Sequence, residues 1–363
     1  MSRLEDDLAG RLDAGVTLPF SWFADPAIFR AEQERIFAST WQYAVPTAWV
    51  AEPGEYATCH AGLVPVVVVR DHDGNLNGFV NICRHRATEV AQGRGRRETL
   101  QCPYHAWTYG LDGGLRAAPR SDREAGFDRA DYCLRRVAVD TWGPMVFVNR
   151  DLDAPPLTEM LGALPERVAD AGIDLDSLRH RSRSEWPVEA NWKAIVENYL
   201  ECYHCPTAHP DFSKVIDVDP DSYRLTSDEW FSSQISQTRA GAERRELPYN
   251  PDGEIAEAHF HWLWPTFTIN VFPGRPNLGV LAFVPAGPGK TASVIDHFYG
   301  EDVTDDEIAA IQEFGNQVGL EDQGLVESIQ RAAESGGLAE GRLMLSSEHL
   351  IQHFQRLVER ALA

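Results

Sequence analysis

The sequence has no apolar run long enough to cross a bilayer. Its longest, around residues 64–69, falls far short of the roughly 20 residues that a membrane helix needs. The N-terminus, MSRLEDDLAGRLDAG, carries acids where a secretory leader needs an apolar core. Basic charge is scarce: 33 Lys plus Arg face 55 Asp plus Glu, a formal net charge of −22. That argues against a nucleic-acid coat or an anionic membrane as partner. Only six cysteines occur, at 59, 83, 102, 133, 202 and 205, too few and too unevenly placed for a disulfide scaffold in 363 residues. No repeat or low-complexity segment points to a solenoid or a tail. With 43% apolar and 24% charged residues, a soluble cytoplasmic chain with a sizeable core is expected. Its length suggests two or three domains.

The texture of the chain divides it. Residues 1–43 read as an N-terminal arm packing with the last domain, with one helix from Pro26 through Ala38 carrying Phe29, Ile36 and Phe37. Residues 44–150 read as a small β domain, with strands near 64–69, 79–82, 134–139 and 145–148 and a turn at DHDGN. The acidic, proline-bearing DLDAPPLTEM marks a boundary. Residues 151–363 then mix the strand-like SRSEWPV, a helix over 191–204, and strands near 267–272, 278–284 and 293–299. A capping box at Thr304 and Glu307 opens an acidic helix, and a last helix starts near Ser347. Leu350, Ile351, Phe354, Leu357 and Val358 mark the buried side of that last helix. The fold class is α+β: a small all-β domain, then a larger α+β domain whose antiparallel sheet is flanked by helices.

Cys83-Arg-His85 and Cys102-Pro-Tyr-His105, sixteen residues apart, form the sharpest feature. Each offers one thiolate and one imidazole on a tight turn. Two such turns facing each other can hold one iron by Cys83 and Cys102 and the other by His85 and His105. Exchanging two thiolates of a [2Fe–2S] cluster for neutral imidazoles raises its potential, because the ligands carry less negative charge. Gly93, Gly95, Gly110, Gly113 and Gly114 permit the close backbone turns, and Trp107 and Tyr109 can wall the cluster. A structural Cys2His2 zinc site is the competing reading, although C-x-H is an unusual half for zinc.

On the segment NICRHRATEVAQGRGRRETLQCPYHAWTY the chain resembles the Rieske non-haem iron ring-hydroxylating oxygenases, catalytic α subunit. Members usually carry glycine where this chain has Ala87 and Ala106, small-for-small changes expected to leave the ligand pattern intact and to weaken nothing important.

The second cluster lies in NWKAIVENYLECYHCPTAHP. On a continuous helix, Glu197, Glu201 and His204 share one face. Pro206 then ends that helix and presents His209 from the turn beyond, so that His204 and His209 converge on one ion. Cys202 and Cys205 read as small buried thiols, or as half of a zinc site with His204. For a third ligand Asp322 is the choice, because it lies among Val318, Leu325 and Ile329, where an unpaired carboxylate is costly to bury. Glu321 and Asp306, on the more polar side, are weaker candidates. Two histidines and one carboxylate make the facial triad of O₂-activating Fe(II) enzymes.

The resemblance implies the same set, since EDQGLVESIQ looks like the segment bearing the family's distant Asp. It implies that Glu201 is a bridging carboxylate instead of a ligand. Most members have Asp there, and a minority acting on quaternary amines have Glu. It also implies one Rieske [2Fe–2S] cluster and one mononuclear Fe(II) per chain. A head-to-tail homotrimer follows from it, in which electrons pass from His105 of one subunit through Glu201 of the next to its His204. No G-x-G-x-x-G unit stands between a strand and a helix, so NADH or NADPH acts only through a separate flavin or iron–sulfur reductase.

Three functions compete. The first is oxidative N-demethylation of a small quaternary amine such as glycine betaine or proline betaine, with O₂ as co-substrate and formaldehyde as product. The phrase ENYLECYHCPTAHP resembles members acting on glycine betaine, proline betaine, choline and carnitine. Trp262, Trp264 and Phe260 are candidates for a cation cage, with Trp186 and Tyr203 as outsiders, although core packing suits the tryptophans equally. The second is hydroxylation or O-demethylation of an aromatic acid held by Arg239 or Arg275. The third is an electron carrier without oxygenase activity, against which His204, His209, Asp322 and the long segment after the cluster domain all argue.

Overall fold

The computed structural model describes residues 7–243, 247–250 and 252–363. Two compact units divide it: Phe37–Met160, and residues up to Ile36 together with Leu161–Ala363. Its helices are α1 (Leu8–Asp13), α2 (Pro26–Arg35), α3 (Leu157–Leu161), α4 (Leu164–Asp170), α5 (Trp192–Tyr199), α6 (Cys205–Ala208), α7 (Pro210–Val215), α8 (Asp305–Ser335) and α9 (Leu345–Leu362).

The Phe37–Met160 unit is built on β structure. Seven strands form an antiparallel sheet in the order Gln42–Pro46, Met145–Asn149, Arg136–Trp142, Leu76–Val80, Val64–Arg70, Glu55–Ala61 and Arg94–Arg96. The β-branched run Val66–Val69 is buried, its side chains alternating between two core clusters. The DHDGN turn forms as expected: Asp71 Oδ1 accepts the amide protons of Asp73 and Asn75, and Gly74 takes a φ of 85°. A three-stranded sheet (Leu100–Gln101, Thr108–Tyr109, Leu115–Ala117) carries the second Cys–His turn.

The two Cys–His turns are built alike. In one, the amide of Cys83 donates to the Thr88 carbonyl and that of Ala87 to the Cys83 carbonyl. In the other, Cys102 donates to Trp107 and Ala106 to Cys102. Closing each turn sends Ala87 to a φ of 59° and Ala106 to 57°, the left-handed region that a Cβ disfavours. These alanines therefore do weaken something, contrary to expectation.

In the other unit, seven antiparallel strands run in the order Arg179–Val188, Lys290–Tyr299, Asn277–Gly287, Phe267–Val271, Glu257–Leu263, Phe231–Gln237 and Arg224–Ser227. Helix α2 begins at Pro26 behind an Asp25 cap and ends at Arg35, three residues short of the expected Ala38. A wholly buried ion pair, Glu32 with Lys193, ties α2 to α5, and Trp192 Nε1 donates to the same carboxylate at 2.8 Å. Removing one partner of such a pair costs about 3–5 kcal/mol, because the other charge is left buried alone. The capping box forms at Thr304 and Glu307, and α9 buries Leu350, Ile351, Phe354, Leu357 and Val358 as its periodicity predicts.

The expected continuous helix over 191–204 does not form. Asn191 caps α5, which stops at Tyr199, and two short helices follow. Pro206 in a continuous helix would press its ring on the Cys202 carbonyl, and Pro210 repeats the conflict four residues on. Each proline instead sits in the first turn of a new helix, where no amide donor is needed. The buried side of α8 is Ile308, Ile311, Val326, Gln330 and Ala333. Leu325 and Ile329 are each 42% exposed, so the expected apolar face around Asp322 is not the packed one.

Because glycine adopts a positive φ without the Cβ penalty, Ala87→Gly and Ala106→Gly should each stabilise the Phe37–Met160 unit by about 0.5–1 kcal/mol. The midpoint for thermal unfolding of that unit should rise by about 2–4 °C per kcal/mol. An unchanged or lower midpoint would show that the turns are not strained.

Candidate metal centres

In the β unit, Cys83 and Cys102 are buried free thiols. The His85 and His105 rings lie 4.5 Å apart, and His85 stacks flat on Trp107 at 5.0 Å. Burial pushes the Cys83 thiol up, Tyr109 and a backbone amide oppose this, and the neighbouring Cys102 adds to the rise. The Cys83 thiol thus resists ionisation until a cation stands beside it. The Tyr109 hydroxyl is 3.3 Å from Cys83 Sγ and accepts the Arg84 amide at 3.0 Å. His105 Nδ1 is buried with no hydrogen-bond partner. Two thiols beside two imidazoles, one with an orphaned nitrogen, are the donor set of a [2Fe–2S] cluster with mixed ligands.

The second centre joins α8 to the chain after α5. His204 Nε2 and His209 Nε2 are 3.1 Å apart, and Asp322 Oδ1 lies 2.9 Å from His209 Nε2 and 3.5 Å from His204 Nε2. Two ligand atoms each about 2.1 Å from one ion at right angles are themselves about 3 Å apart, so the three atoms fit one face of an octahedron. Among the described residues, this is the group of three whose side chains can hold one metal ion. Asn198 Nδ2 donates to the same Asp322 oxygen at 3.0 Å.

Both histidines are held from behind. Glu201 Oε1 meets His204 Nδ1, while its Oε2 accepts the backbone amides of Tyr203 and His204. Glu321 Oε2 is 2.8 Å from His209 Nδ1. Burial opposes charge on His204, His209 and Asp322, yet hydrogen bonds and opposite charges prevail. Bonds from Asp322 and Glu201 lift His204 to about 9, His209 is raised by Asp322 and Glu321, and the two histidines hold Asp322 at about 2.

Several expectations need correction. Glu197 does not share a face with Glu201 and His204. It accepts from Gln355 of α9 at 2.8 Å, and burial pushes its carboxyl up to about 7. Cys202 and Cys205 are neither free thiols nor zinc ligands, because they form a disulfide across three residues. Trp262 and Trp264 are core: they pack on each other and on Phe354, and Trp262 Nε1 donates to the Pro265 carbonyl. Phe260 packs instead with Phe212 and Phe272. Arg275 is engaged by the Asp302 carbonyl and Glu307, and Arg239 by the Ser213 carbonyl. Asn198 and the role of Glu321 behind His209 escaped the sequence reading. The N-x₂-E spacing of Asn198 to Glu201 carries no metal signature, and the helical register of Glu321 pointed to solvent.

A family model for the Rieske [2Fe–2S] domain matches residues 40–139, and one for the ring hydroxylating alpha subunit (catalytic domain) matches residues 175–363. The chain belongs to the Rieske non-haem iron oxygenases, as a catalytic subunit, and is an enzyme of that mono- and dioxygenase class. It is 33% identical to the carnitine monooxygenase oxygenase subunit of Acinetobacter pittii over 99% of this chain and 98% of that one. It is 32% identical to the chloroplastic choline monooxygenase of Amaranthus tricolor over 94% of this chain and 76% of that protein. A solved quaternary ammonium Rieske monooxygenase, studied for carnitine oxidation and inter-subunit electron transfer, superposes with a TM-score of 0.86 at 31% identity. That match covers 99% of this chain and 98% of the other. The domain match decides for [2Fe–2S] over structural zinc at the first centre. No helix among the described residues is long and apolar enough to cross a membrane.

The protonation pattern sets a sign. A histidine raised above its ordinary 6.5 stabilises the metal-free chain below pH 6.5 and loses that contribution as pH rises through about 9. A carboxylate held at about 2 contributes above its ordinary 3.8 and loses this only as pH falls through 2. Loading Fe(II) at pH 7 must therefore displace imidazole protons. Proton release should be measurable in weakly buffered solution, and apparent Fe(II) affinity should climb between pH 6.5 and 9. Affinity that is flat across that range would show the histidines already neutral.

Proposed function

We propose that this chain is the oxygenase component of a system that oxidises a C–H bond of a small quaternary amine, of the carnitine or choline kind. Glycine betaine and proline betaine are further members of the same chemical class. The overall balance is R–H + O₂ + 2 e⁻ + 2 H⁺ → R–OH + H₂O. The observation that carries this reading is the convergence of His204, His209 and Asp322 on one point.

In this reading Cys83 and Cys102 hold one iron of the cluster and His85 and His105 the other. His204, His209 and Asp322 hold the mononuclear Fe(II). When bound, the cluster supplies single electrons and the mononuclear iron binds and activates O₂. The protein's part is to place and shield these groups. Glu201 and Glu321 hold the Nδ1 sides of the two histidines, so that both Nε2 atoms face inward. Glu201 also serves as the bridge by which electrons from His105 of one copy reach His204 of the next, in a head-to-tail homotrimer fed by a separate reductase. The inter-subunit transfer studied in the similar quaternary ammonium monooxygenase supports this arrangement.

Charge and surface favour a cationic substrate. Asp322, Glu201, Glu321 and, beside His204, Glu348 surround the two histidines, four carboxylates against one divalent ion. Tyr199, Tyr223, Phe272 and Phe314 join Cys202 and Cys205 in one apolar cluster, which provides aromatic faces suited to a trimethylammonium group. The aromatic-acid reading loses support, because the arginines proposed to hold a carboxylate are engaged elsewhere.

A single-turnover assay tests the reading. The iron-loaded, pre-reduced protein is given O₂ with L-carnitine, choline, glycine betaine or proline betaine. Hydroxylation at an N-methyl carbon releases formaldehyde, and hydroxylation at the methylene next to the trimethylammonium group of carnitine, choline or glycine betaine releases trimethylamine. Hydroxylation at the alcohol carbon of choline gives an aldehyde hydrate. One of these products should form, approaching one per mononuclear site. If none forms while an aromatic acid is oxidised, the substrate class is wrong. In Glu201→Gln the cluster should still be reduced at the parent rate, with product formation lowered by about 10- to 100-fold. Unimpaired turnover would remove Glu201 from the electron path.

A further inference from the structure

Glu321 stands beside Asp322 on α8, and consecutive helical residues project about 100° apart. That spread lets the two carboxylates grip the His209 ring from both sides. Asp322 Oδ1 is 2.9 Å from Nε2, and Glu321 Oε2 is 2.8 Å from Nδ1. The second Glu321 oxygen accepts from Gln317 Nε2, one helical turn earlier, at 2.8 Å. His209 itself is 2% exposed, and the Glu321 side chain is 24% exposed.

A carboxylate only accepts hydrogen bonds, so Glu321 keeps a proton on Nδ1 of His209, and the proton that Nε2 gives to Asp322 is the one a metal displaces. The lone pair freed at Nε2 is then directed at the point shared with His204 and Asp322. His204 is treated the same way by Glu201, but that carboxylate is three residues away on a turn. For His209 the orienting group comes from the helix that also carries the third candidate ligand.

We propose that Glu321, steadied by Gln317, is the positioning residue of the mononuclear centre. It fixes the tautomer and ring plane of His209 and thereby the strength with which the centre holds its metal. This rests on the metal-site reading above and is independent of the substrate.

The test uses the full chain with its cluster in place and the mononuclear site emptied of iron. Co(II) is titrated in against a competing chelator and followed by its electron paramagnetic resonance, to which the oxidised cluster contributes nothing. Glu321→Ala should weaken Co(II) binding by about 10- to 100-fold and change the line shape, with the visible spectrum of the cluster unchanged and the metal-free melting temperature lowered by far less than the lost affinity. Glu321→Gln, whose amide oxygen can accept the same Nδ1–H, should recover most of the loss, and Gln317→Ala should lose less than Glu321→Ala. Equal Co(II) affinity in Glu321→Ala and the parent would overturn the assignment. So would a Glu321→Gln variant as weak as Glu321→Ala, or a fall in metal-free melting temperature matching the lost affinity. A parent protein that binds no Co(II) would instead overturn the metal-site reading itself.

Discussion

An imidazole can offer one nitrogen to a metal dependably only when the other nitrogen is held. That requirement organises the environment of the second centre. His204 and His209 each have a carboxylate on Nδ1, and in both cases Nε2 points to the shared locus. The two carboxylates arrive by different routes. Glu201 reaches back across a three-residue turn, whose geometry is itself fixed by its second oxygen accepting the Tyr203 and His204 amides. Glu321 arrives from a helix 112 residues further along the chain. A second-neighbour group is thus used once to shape a loop and once to tie a distant helix to it.

The loop between α5 and α7 follows from its prolines. A helix continued through residue 210 would have carried His204 and His209 around its axis by five residues, about 140° apart, facing different directions. Breaking it at Pro206 and Pro210 lets the two rings meet edge to face at 5.0 Å. The disulfide between Cys202 and Cys205 spans the same break and sits in the apolar cluster with Phe212 and Tyr299. The backbone around His204 is therefore tied by a covalent bond, a carboxylate and two helix starts.

Local patterns were the legible ones. Each Cys–His turn is closed by hydrogen bonds within five residues, so spacing alone carried the geometry. The capping box at Thr304 and the buried stripe of α9 are likewise sequence-local. The helix over 191–204 was misread because apolar periodicity continues through Leu200 although the prolines forbid the turn that would follow. Two central strands, Phe231–Gln237 and Glu257–Leu263, gave no usable signal. They bury Ser232, Ser233, Gln234, Ser236, His259 and His261, polar residues that a pattern of alternating hydrophobicity assigns to solvent. The apolar face that periodicity suggests around Asp322 is half exposed at Leu325 and Ile329, so burial does not explain the position of this carboxylate. What positions it is Asn198 and the histidines themselves, contacts between segments more than 100 residues apart that no local pattern encodes.

Helix α8 shows how a long element can hold a ligand without being buried along its length. Ile308 and Ile311 anchor one end and Val326, Gln330 and Ala333 the other, while none of the side chains from 312 to 325 is buried. That middle span contains Gly315, Gly319 and Gly324, each destabilising a helix by about 1 kcal/mol relative to alanine, and a Cβ at any of the three would meet nothing within 4 Å. Packing therefore does not demand the glycines; between the two anchors, Phe314 and Val318 lean on the aromatic cluster. The ends are fixed by the Thr304–Glu307 box and the left-handed cap at Gly336. Asp322 lies one turn before the Val326 anchor, where the helix regains support, and Glu321 beside it adds the bond to His209. The candidate ligand is thus fixed one turn from a packed anchor, by that anchor and by its neighbour's bond to His209.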